Sequence, residues 1–474
     1  MDSNEFYKLL KTSFPFKPTL KQNIGLQQLS NFIYSTTANE LFVLKGYAGT
    51  GKTTIIGVLV KNLWHAQKTA VLLAPTGRAA KVISNYSKSE AFTIHKKIYV
   101  PRAEKNGKMS FVLAPNKHKK TLFIVDEASM ISDISNQAKL FGSGSLLDDL
   151  IQYVYSGPQC KLLLIGDTAQ LPPVKLDLSP ALNESNLELN YNKEVIRLEL
   201  DEVVRQGEDS GILFNATHLR EAVSNSYFDS FHFNLNGFKD IVRLNDGYEI
   251  LDAINDAYST LGSEDTALIV RSNKRANLYN EQIRSRILFN ENELTSGDFL
   301  MIVKNNYFWL KPTSEAGFIA NGDIIEVLEI FSIKELYGFR FAEVKIRMVD
   351  YPKMRPFETV LMLDTIKLET PSLPYEESNK LYQEILKDFE DESSSYKKFL
   401  GVKKSKYLNS LQVKFSYAIT CHKSQGGQWD TVFVEQPYLP NGIDRDYLRW
   451  LYTAITRAKE KLYLIGFKDD FFED

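Results

Sequence analysis

Cysteine is almost missing from this 474-residue chain: Cys160 and Cys421 are the two present. A disulfide framework needs more, and so does a multi-cysteine zinc or iron–sulfur site, so a reducing compartment is expected. An excess of one charge sign is missing too. There are 57 Lys and Arg against 59 Asp and Glu, a formal net charge of −2. That balance excludes a strongly basic nucleic-acid coat but not a local basic channel. No apolar run approaches the ~20 residues that span a bilayer. The longest are strand-sized, such as KLLLIG at 161–166. The start, MDSNEFYKLLK, has no basic stretch leading into an apolar one. A cytoplasmic protein with no membrane association is expected. What remains is ordinary, with 43% hydrophobic and 24% charged residues. This composition excludes a mainly disordered chain, a collagen-like chain or a coiled-coil rod. The length suits about three domains of ~150 residues each.

The first half alternates short apolar segments at 41–44, 70–74, 122–125 and 162–165 with amphipathic stretches such as 53–64 and 77–86. Strands buried on both faces, with helices between them, predict a mostly parallel α/β sheet. Residues 96–120 break the pattern. They are crowded with lysine, and Asn106-Gly107 sits between two partly alternating stretches. Asn-Gly is a strong hairpin signal, because both central residues need positive φ. A basic hairpin inserted into the α/β domain is expected. A second α/β region opens near 235, with a strand at 267–270 and a helix at 274–288. It resumes over 411–474, with strands near 415–420, 431–435 and 461–465 and a helix at 445–457. Between these halves, alternation at 338–350 and 358–363 predicts a small antiparallel β unit. A helix at 375–390 and the polar segment DESSSYKK, read as a linker, follow.

Gly46-Tyr47-Ala48-Gly49-Thr50-Gly51-Lys52-Thr53 matches G-x-x-x-x-G-K-[ST] between a strand and a helix, the context that motif requires. Glycines let backbone N–H groups converge on an anion, and the helix N-terminus adds its positive end. In this reading Gly46, Gly49, Thr50, Gly51 and Thr54 shape the cradle, Lys52 reaches the β- and γ-phosphates, and the Thr53 hydroxyl ligates Mg²⁺. ATP and Mg²⁺ are therefore the expected cofactors. Asp126 and Glu127 end the segment LFIVDE. Asp126 would hold Mg²⁺, and Glu127 would polarise the attacking water as general base. Gln170, in GDTAQLPPV, is placed to sense a γ-phosphate, since an amide both donates and accepts.

Together these pieces resemble superfamily 1 helicases, and within them the superfamily 1B subgroup that is RecD-like and phage Dda-like. LLAPTGRAAK (72–81), AFTIHKKI (91–98), VDEASMI (125–131) and GDTAQLPPV (166–174) are similar to motifs Ia, Ib, II and III. LDEVVRQGEDSGIL (200–213), TCHKSQGGQWDTVFV (420–434) and LYTAITRAKEKLYLIG (451–466) are similar to motifs IV, V and VI. QLPPV and HKSQG are the subgroup's forms. The resemblance implies two RecA-like P-loop NTPase lobes with an inserted β-hairpin (1B) and an inserted SH3-like β domain (2B). Lobe 1A would cover 1–95 and 121–234, the 1B pin or wedge 96–120, lobe 2A 235–330 and 411–474, and the 2B domain, with a helical insertion, 331–410.

The resemblance also implies roles. Gln22 would read adenine. Arg205 and Arg457 would be arginine fingers, which suits the charge that develops in phosphoryl transfer. Gln428 stands where the family usually has an acidic residue for a ribose hydroxyl. Pro75, Thr76, Thr93 and His95 on one lobe, and Thr420, His422 and Ser424 on the other, would contact a DNA backbone without reading sequence. On the wedge hairpin of Tyr99, Asn106, Gly107 and Phe111, an aromatic or a tip residue would stack on a base. The implied activity is ATP-driven 5′→3′ unwinding of DNA by a monomer. Its partners would be single-stranded DNA, duplex junctions, and single-strand-binding or repair proteins. An RNA or RNA–DNA hybrid helicase, an ATP-dependent switch or loader, and a motor subunit of a nuclease complex are the alternatives.

Overall fold

The computed structural model describes residues 1–103, 109–133, 142–204, 210–225, 228, 231–311, 313–392, 394–440 and 442–472. In chain order the first eight strands are β1 (Glu40–Gly46), β2 (Thr69–Ala74), β3 (Ala91–Thr93), β4 (Tyr99–Ala103), β5 (Met109–Leu113), β6 (Thr121–Val125), β7 (Lys161–Gly166) and β8 (Glu194–Leu200). Six of them form a sheet in the order β3-β2-β6-β7-β1-β8, with parallel pairing throughout. The helices Lys52–Asn62 and Gly77–Ser87 follow β1 and β2. Alternate residues of the central strands enter different cores. Phe42, Leu44, Ile124 and Leu163 pack on one face, and Leu41, Val43, Phe123 and Leu162 on the other. Burial on both faces is why these strands read as continuous apolar runs. The strands β4 and β5 pair antiparallel as a separate hairpin. Its Asn106-Gly107 turn lies outside the described residues.

The later strands are β9 (Ile241–Leu244), β10 (Thr266–Val270), β11 (Phe299–Ile302), β12 (Ile324–Leu336), β13 (Phe339–Met348), β14 (Phe357–Met362), β15 (Leu411–Phe415), β16 (Ala418–Thr420), β17 (Trp429–Glu435) and β18 (Ala458–Ile465). A second parallel sheet runs β16-β10-β17-β18-β9. The strands β11 to β15 close a small barrel. The fold is two RecA-like α/β lobes with a hairpin and a barrel inserted. No helix among the described residues is long and apolar enough to cross a membrane.

Three boundaries differ from the sequence reading. The barrel begins at Phe299 and ends at Phe415, rather than covering 331–410. Its first strand is a short, fully apolar run that looks like any lobe strand, so no change of pattern marks the start. The barrel interior also shares one core with the second sheet: Leu300, Val327, Val344 and Val413 join Leu268, Val270 and Phe433. The helix Gly211–Asn225 lies within the 121–234 span expected for the first lobe. It packs instead into the second lobe's core, where Ile212, Ala216 and Leu219 join Leu448 and Leu451. An amphipathic face does not encode which sheet it will meet. Finally, the segment read as a linker runs into a helix, Ser395–Lys404. It packs with Tyr375–Lys387 on the barrel through Val402, Leu381 and Phe341.

A buried ion pair fastens the barrel to the lobe. Arg284 Nη2 and Nε lie 2.8 and 2.9 Å from the two Asp298 oxygens, and Tyr417 Oη donates to the same carboxylate at 3.0 Å. Arg284 sits on the π-helical turn Ile283–Ile287, just ahead of β11.

Candidate nucleotide and nucleic-acid sites

The ends of β1, β6 and β7 lie side by side in the first sheet. In an open parallel sheet the crevice beyond the strands' carboxyl ends is where ligands bind. The phosphate loop leaves β1 there. Gly49 and Gly51 take φ values of +72° and +85°, a region closed to most L-residues. A Cβ on Gly51 would also sit 2.4 Å from Gln22 Nε2. Lys52 Nζ donates to the carbonyls of Gly46 and Tyr47 at 2.6 and 2.8 Å. Thr53 is exposed in the first turn of the helix.

Gln22 differs from its expected role as an adenine reader. It is fully buried, its Oε1 accepts from Thr19 N at 3.0 Å, and its Nε2 donates to Thr50 O at 2.9 Å. In this geometry Gln22 braces the phosphate loop, because it serves as the third residue of a helix capping box and points inward from there.

A cavity of about 800 Å³ lies between the lobes. Gly49, Gly51, Lys52, Thr53, Thr54, Asp126, Glu127 and Gln170 line it from the first lobe, and Gln428 and Arg457 from the second. Gly46 and Thr50 are buried behind the loop surface. Burial pushes the Glu127 carboxyl up; the Arg457 guanidinium and Lys52 pull against that, and neighbouring Asp126 adds to it. Arg457 therefore faces the phosphate-loop side of the cleft from the opposite lobe. It is held there by Nε donating to Thr453 O at 2.9 Å. Gln170 is 7% exposed, and its Oε1 has no hydrogen-bond partner among the described residues. A buried amide oxygen without a partner is costly, and this one borders the cavity. Arg205 lies outside the described residues.

Tyr86 was not anticipated from the sequence. Its hydroxyl donates to Asp126 Oδ2 at 2.7 Å, while Glu127 N donates to Oδ1 at 2.9 Å. Burial and Asp126 raise the Tyr86 pKa, so it remains a donor. Both oxygens of Asp126 are thus oriented before any ligand arrives. A tyrosine in the last turn of a helix carries no local signal for this role.

The nucleic-acid candidates divide into two groups. Several serve the backbone. Thr76 and Thr93 cap helices, accepting from Ala79 N at 3.2 Å and Lys96 N at 3.3 Å. Pro75 is half-buried beside Thr76. Ser424 is fully buried, and its hydroxyl donates to Cys421 O at 2.8 Å. It has no surface with which to meet a strand, which corrects the expectation for it. His95 stands in an aromatic row with Tyr99 and Phe318, and burial pushes its pKa down to about 4. It is neutral at physiological pH and offers polar contacts rather than a charge. Tyr99 is 7% exposed, and its hydroxyl donates to Asp149 at 2.7 Å. It packs into the first lobe at the hairpin's base, so it does not serve as a stacking face for a base. Phe111 packs on Tyr307 with ring centroids 4.8 Å apart.

The others open onto a groove. Thr420 and His422 line a second cavity, of about 490 Å³, together with Arg271, Lys414 and Lys423. Lys423 is held down at about 8, by burial first and Lys414 second. Burial also lowers His422, helped by Lys423 and Arg271. Arg271 and Lys423 were missed in the sequence, although Lys423 stands inside HKSQG.

An AAA domain model matches residues 27–231, and a UvrD-like helicase C-terminal domain model matches residues 415–465. The chain is 23% identical over 508 residues to uncharacterized protein R530 of Acanthamoeba polyphaga mimivirus, covering 93% of this chain and 98% of that one. It is 25% identical over 454 residues to the ATP-dependent DNA helicase dda of Enterobacteria phage T4, covering 89% and 93%. A crystal structure of Pif1 helicase from Bacteroides in complex with ADP-AlF3 and ssDNA aligns with TM-score 0.47 and 15% identity, over 97% of this chain and 95% of that one. With its AAA and UvrD-like helicase C-terminal domains, its motif order and its near-full-length likeness to dda, the chain is a relative of the superfamily 1B helicases, RecD-like and Dda-like.

Proposed function

We propose that the chain is an ATP-dependent DNA helicase that moves 5′→3′ along single-stranded DNA and separates strands at a duplex junction. The observation that carries this is the 800 Å³ cleft, with Lys52, Thr53 and Glu127 on one wall and Arg457 on the other. Gln170 Oε1 is buried beside it with no hydrogen-bond partner among the described residues.

In this reading the phosphates of ATP lie over the loop from 46 to 54, drawing Lys52 Nζ off the Gly46 and Tyr47 carbonyls. Glu127, its basicity raised by burial, takes the proton from the attacking water. Gln170 orients that water and the γ-phosphate, and Arg457 meets the charge that develops on the phosphate oxygens. Arg205 is proposed as a second finger, and Gln428 as a partner for the ribose. Mg²⁺ fits Thr53 and Asp126, since that ion takes one or two protein oxygens and completes its shell with phosphate and water. When bound it neutralises phosphate charge. Because catalysis needs groups from both lobes, hydrolysis alternates with opening and closing of the cleft.

The strand would run along the groove of Thr420, His422, Arg271 and Lys423, with Pro75, Thr76, Thr93 and His95 on the facing lobe. The hairpin spanning 96–120 would be the wedge. The motor is proposed to act as a monomer and to work with single-strand-binding or repair proteins. The 5′→3′ direction rests on likeness to the Dda-like group.

Strand separation on duplexes with a 5′ or a 3′ single-stranded tail tests the reading, with Lys52→Ala as the inactive control. Unwinding from the 5′ tail alone, lost in the control, is expected. Unwinding from the 3′ tail alone would overturn the direction. Strand-stimulated ATP hydrolysis without unwinding would point to a translocase, and stimulation by RNA alone would change the substrate.

A further inference from the structure

The phosphate loop is gripped from the opposite lobe at a point that none of the catalytic assignments uses. Tyr452 lies on the second-lobe helix Arg445–Ile455 and is 1% exposed. Its hydroxyl accepts a hydrogen bond from Ala48 N at 2.9 Å and donates one to Asp167 Oδ2 at 2.6 Å. Ala48 belongs to the phosphate loop. Asp167 is 2% exposed, stands just past β7, and takes Ala169 N on its other oxygen at 2.9 Å. One hydroxyl thus uses both its donor and its acceptor capacity to join two catalytic segments of the first lobe to a helix of the second.

The next residue repeats the arrangement. Thr453 Oγ1 accepts from Leu171 N at 2.8 Å, and Thr453 O receives Arg457 Nε. Gln425 Nε2 donates to Leu171 O at 2.7 Å. Leu171 follows Gln170, so the residue next to the γ-phosphate candidate is clamped from the second lobe on both its N–H and its C=O. A third contact comes from the helix Gly211–Asn225, where the Arg220 guanidinium lies 4.4 Å from the Tyr47 ring centroid.

We infer that Tyr452 is a positioning residue for phosphoryl transfer. Its hydroxyl sets the place of Ala48 in the phosphate loop and of the Asp167–Gln170 turn only when the lobes are closed. This rests on the helicase reading and deepens it. Opening the cleft separates Tyr452 from both partners at once. The phosphate loop and the Gln170 turn therefore lose their common reference point whenever Arg457 leaves. Positioning of the nucleotide's two sides and delivery of Arg457 become one event, because Tyr452, Thr453 and Arg457 lie within a single buried stretch of six residues.

Tyr452→Phe keeps the ring and removes the oxygen. Loss of one buried hydroxyl tie is expected to lower the strand-stimulated kcat about tenfold. Affinity for ATP without strand should stay within about twofold. Hydrogen exchange at the Ala48 amide should accelerate about tenfold in the strand-bound, nucleotide-bound protein. Asp167→Asn approaches the same bond from the other side, and the double variant should lose less than the product of the two single effects. A kcat and an Ala48 exchange rate both within about twofold of wild type would overturn the inference. So would fully multiplicative single effects. Wild-type protein that hydrolyses no ATP with any strand would sink the helicase reading instead, and the exchange comparison would still decide the role of Tyr452.

Discussion

The two sides of the interlobe cleft are built on different principles. On the nucleotide side several candidate groups are held in place by the protein itself: Asp126 by Tyr86 and the Glu127 amide, Arg457 by Thr453, and the loop by Gln22. On the strand side, several hydroxyls that the motifs single out are engaged by the protein's own backbone, at Thr76, Thr93 and Ser424. Of the cationic groups there, Arg271 lines the groove as an exposed side chain, and Lys423 lines it while its Nζ donates to Asn321 Oδ1. Phosphoryl transfer rewards preorganised dipoles at fixed positions. A moving backbone track does not, because a strand must be gripped and released at every step. Electrostatic attraction that tolerates displacement suits the second task.

That contrast can be broken at four points. The largest effect is expected for Arg457→Ala, which removes the second lobe's guanidinium from the phosphate site. The strand-stimulated kcat should fall about 10³-fold, the low end for an arginine finger, with strand affinity nearly unchanged. A loss below tenfold in steady-state hydrolysis would place the guanidinium away from the phosphates. Next is Gln170→Ala, for which a fall of about 10²-fold in kcat is expected from losing one oriented hydrogen-bonding group at the transferring phosphate. A change confined to KM would make Gln170 a ground-state binding group instead.

Lys423 tests the strand side. Its cation is fully present well below pH 8 and is lost as pH rises through about 8. Bound strand should raise that pKa, so affinity for single-stranded DNA should weaken between pH 7 and pH 9 at fixed salt. Lys414, also near 8 through burial, contributes in the same direction, while burial keeps His422 on the neutral side of that range. Lys423→Arg should flatten the part of the slope owed to Lys423, and Lys423→Ala should reduce the salt dependence by about one counterion. Fluorescence anisotropy with a labelled oligonucleotide reads both. The smallest effect is expected for Ser424→Ala, less than about twofold in strand affinity, because the hydroxyl is sealed inside the helix. A tenfold loss there would mean that this segment rearranges to expose it.

Legibility in the sequence followed the range of the interactions. That the phosphate loop, Asp126-Glu127 and Gln170 would border one cleft was readable, because each lies within a few residues of a strand end, where local pattern and chemistry coincide. Arg457 was readable from its motif, but the carboxylate it faces was not. The roles of Tyr86, Tyr452 and Lys423 left no trace, since their partners lie 40 or more positions away or across the cleft. The hydroxyls of Thr76 and Thr93 stand at sites where helix capping and strand contact call for the same residue type, and pattern alone does not separate the two. The barrel's first strand was missed for a related reason: an apolar run of four residues fits a closed barrel and an open sheet equally well.

The shared core of barrel and second sheet has a mechanical consequence. With Arg284 and Asp298 paired across the seam and one apolar core shared by the two bodies, the barrel is fixed to that lobe. It acts as a cantilever. Any rotation that carries Arg457 toward Glu127 sweeps the far rim of the barrel through a larger arc, in proportion to its distance from the pivot. The barrel's near end, where Val349 and Asp350 also line the interlobe cleft, reaches the first lobe where Gly77 opens a helix. A side chain there would strike Tyr351 and Asp323, at 2.5 and 2.8 Å from an added Cβ. Glycine at 77 thus leaves clearance where the barrel and the first lobe slide past each other beside the cleft.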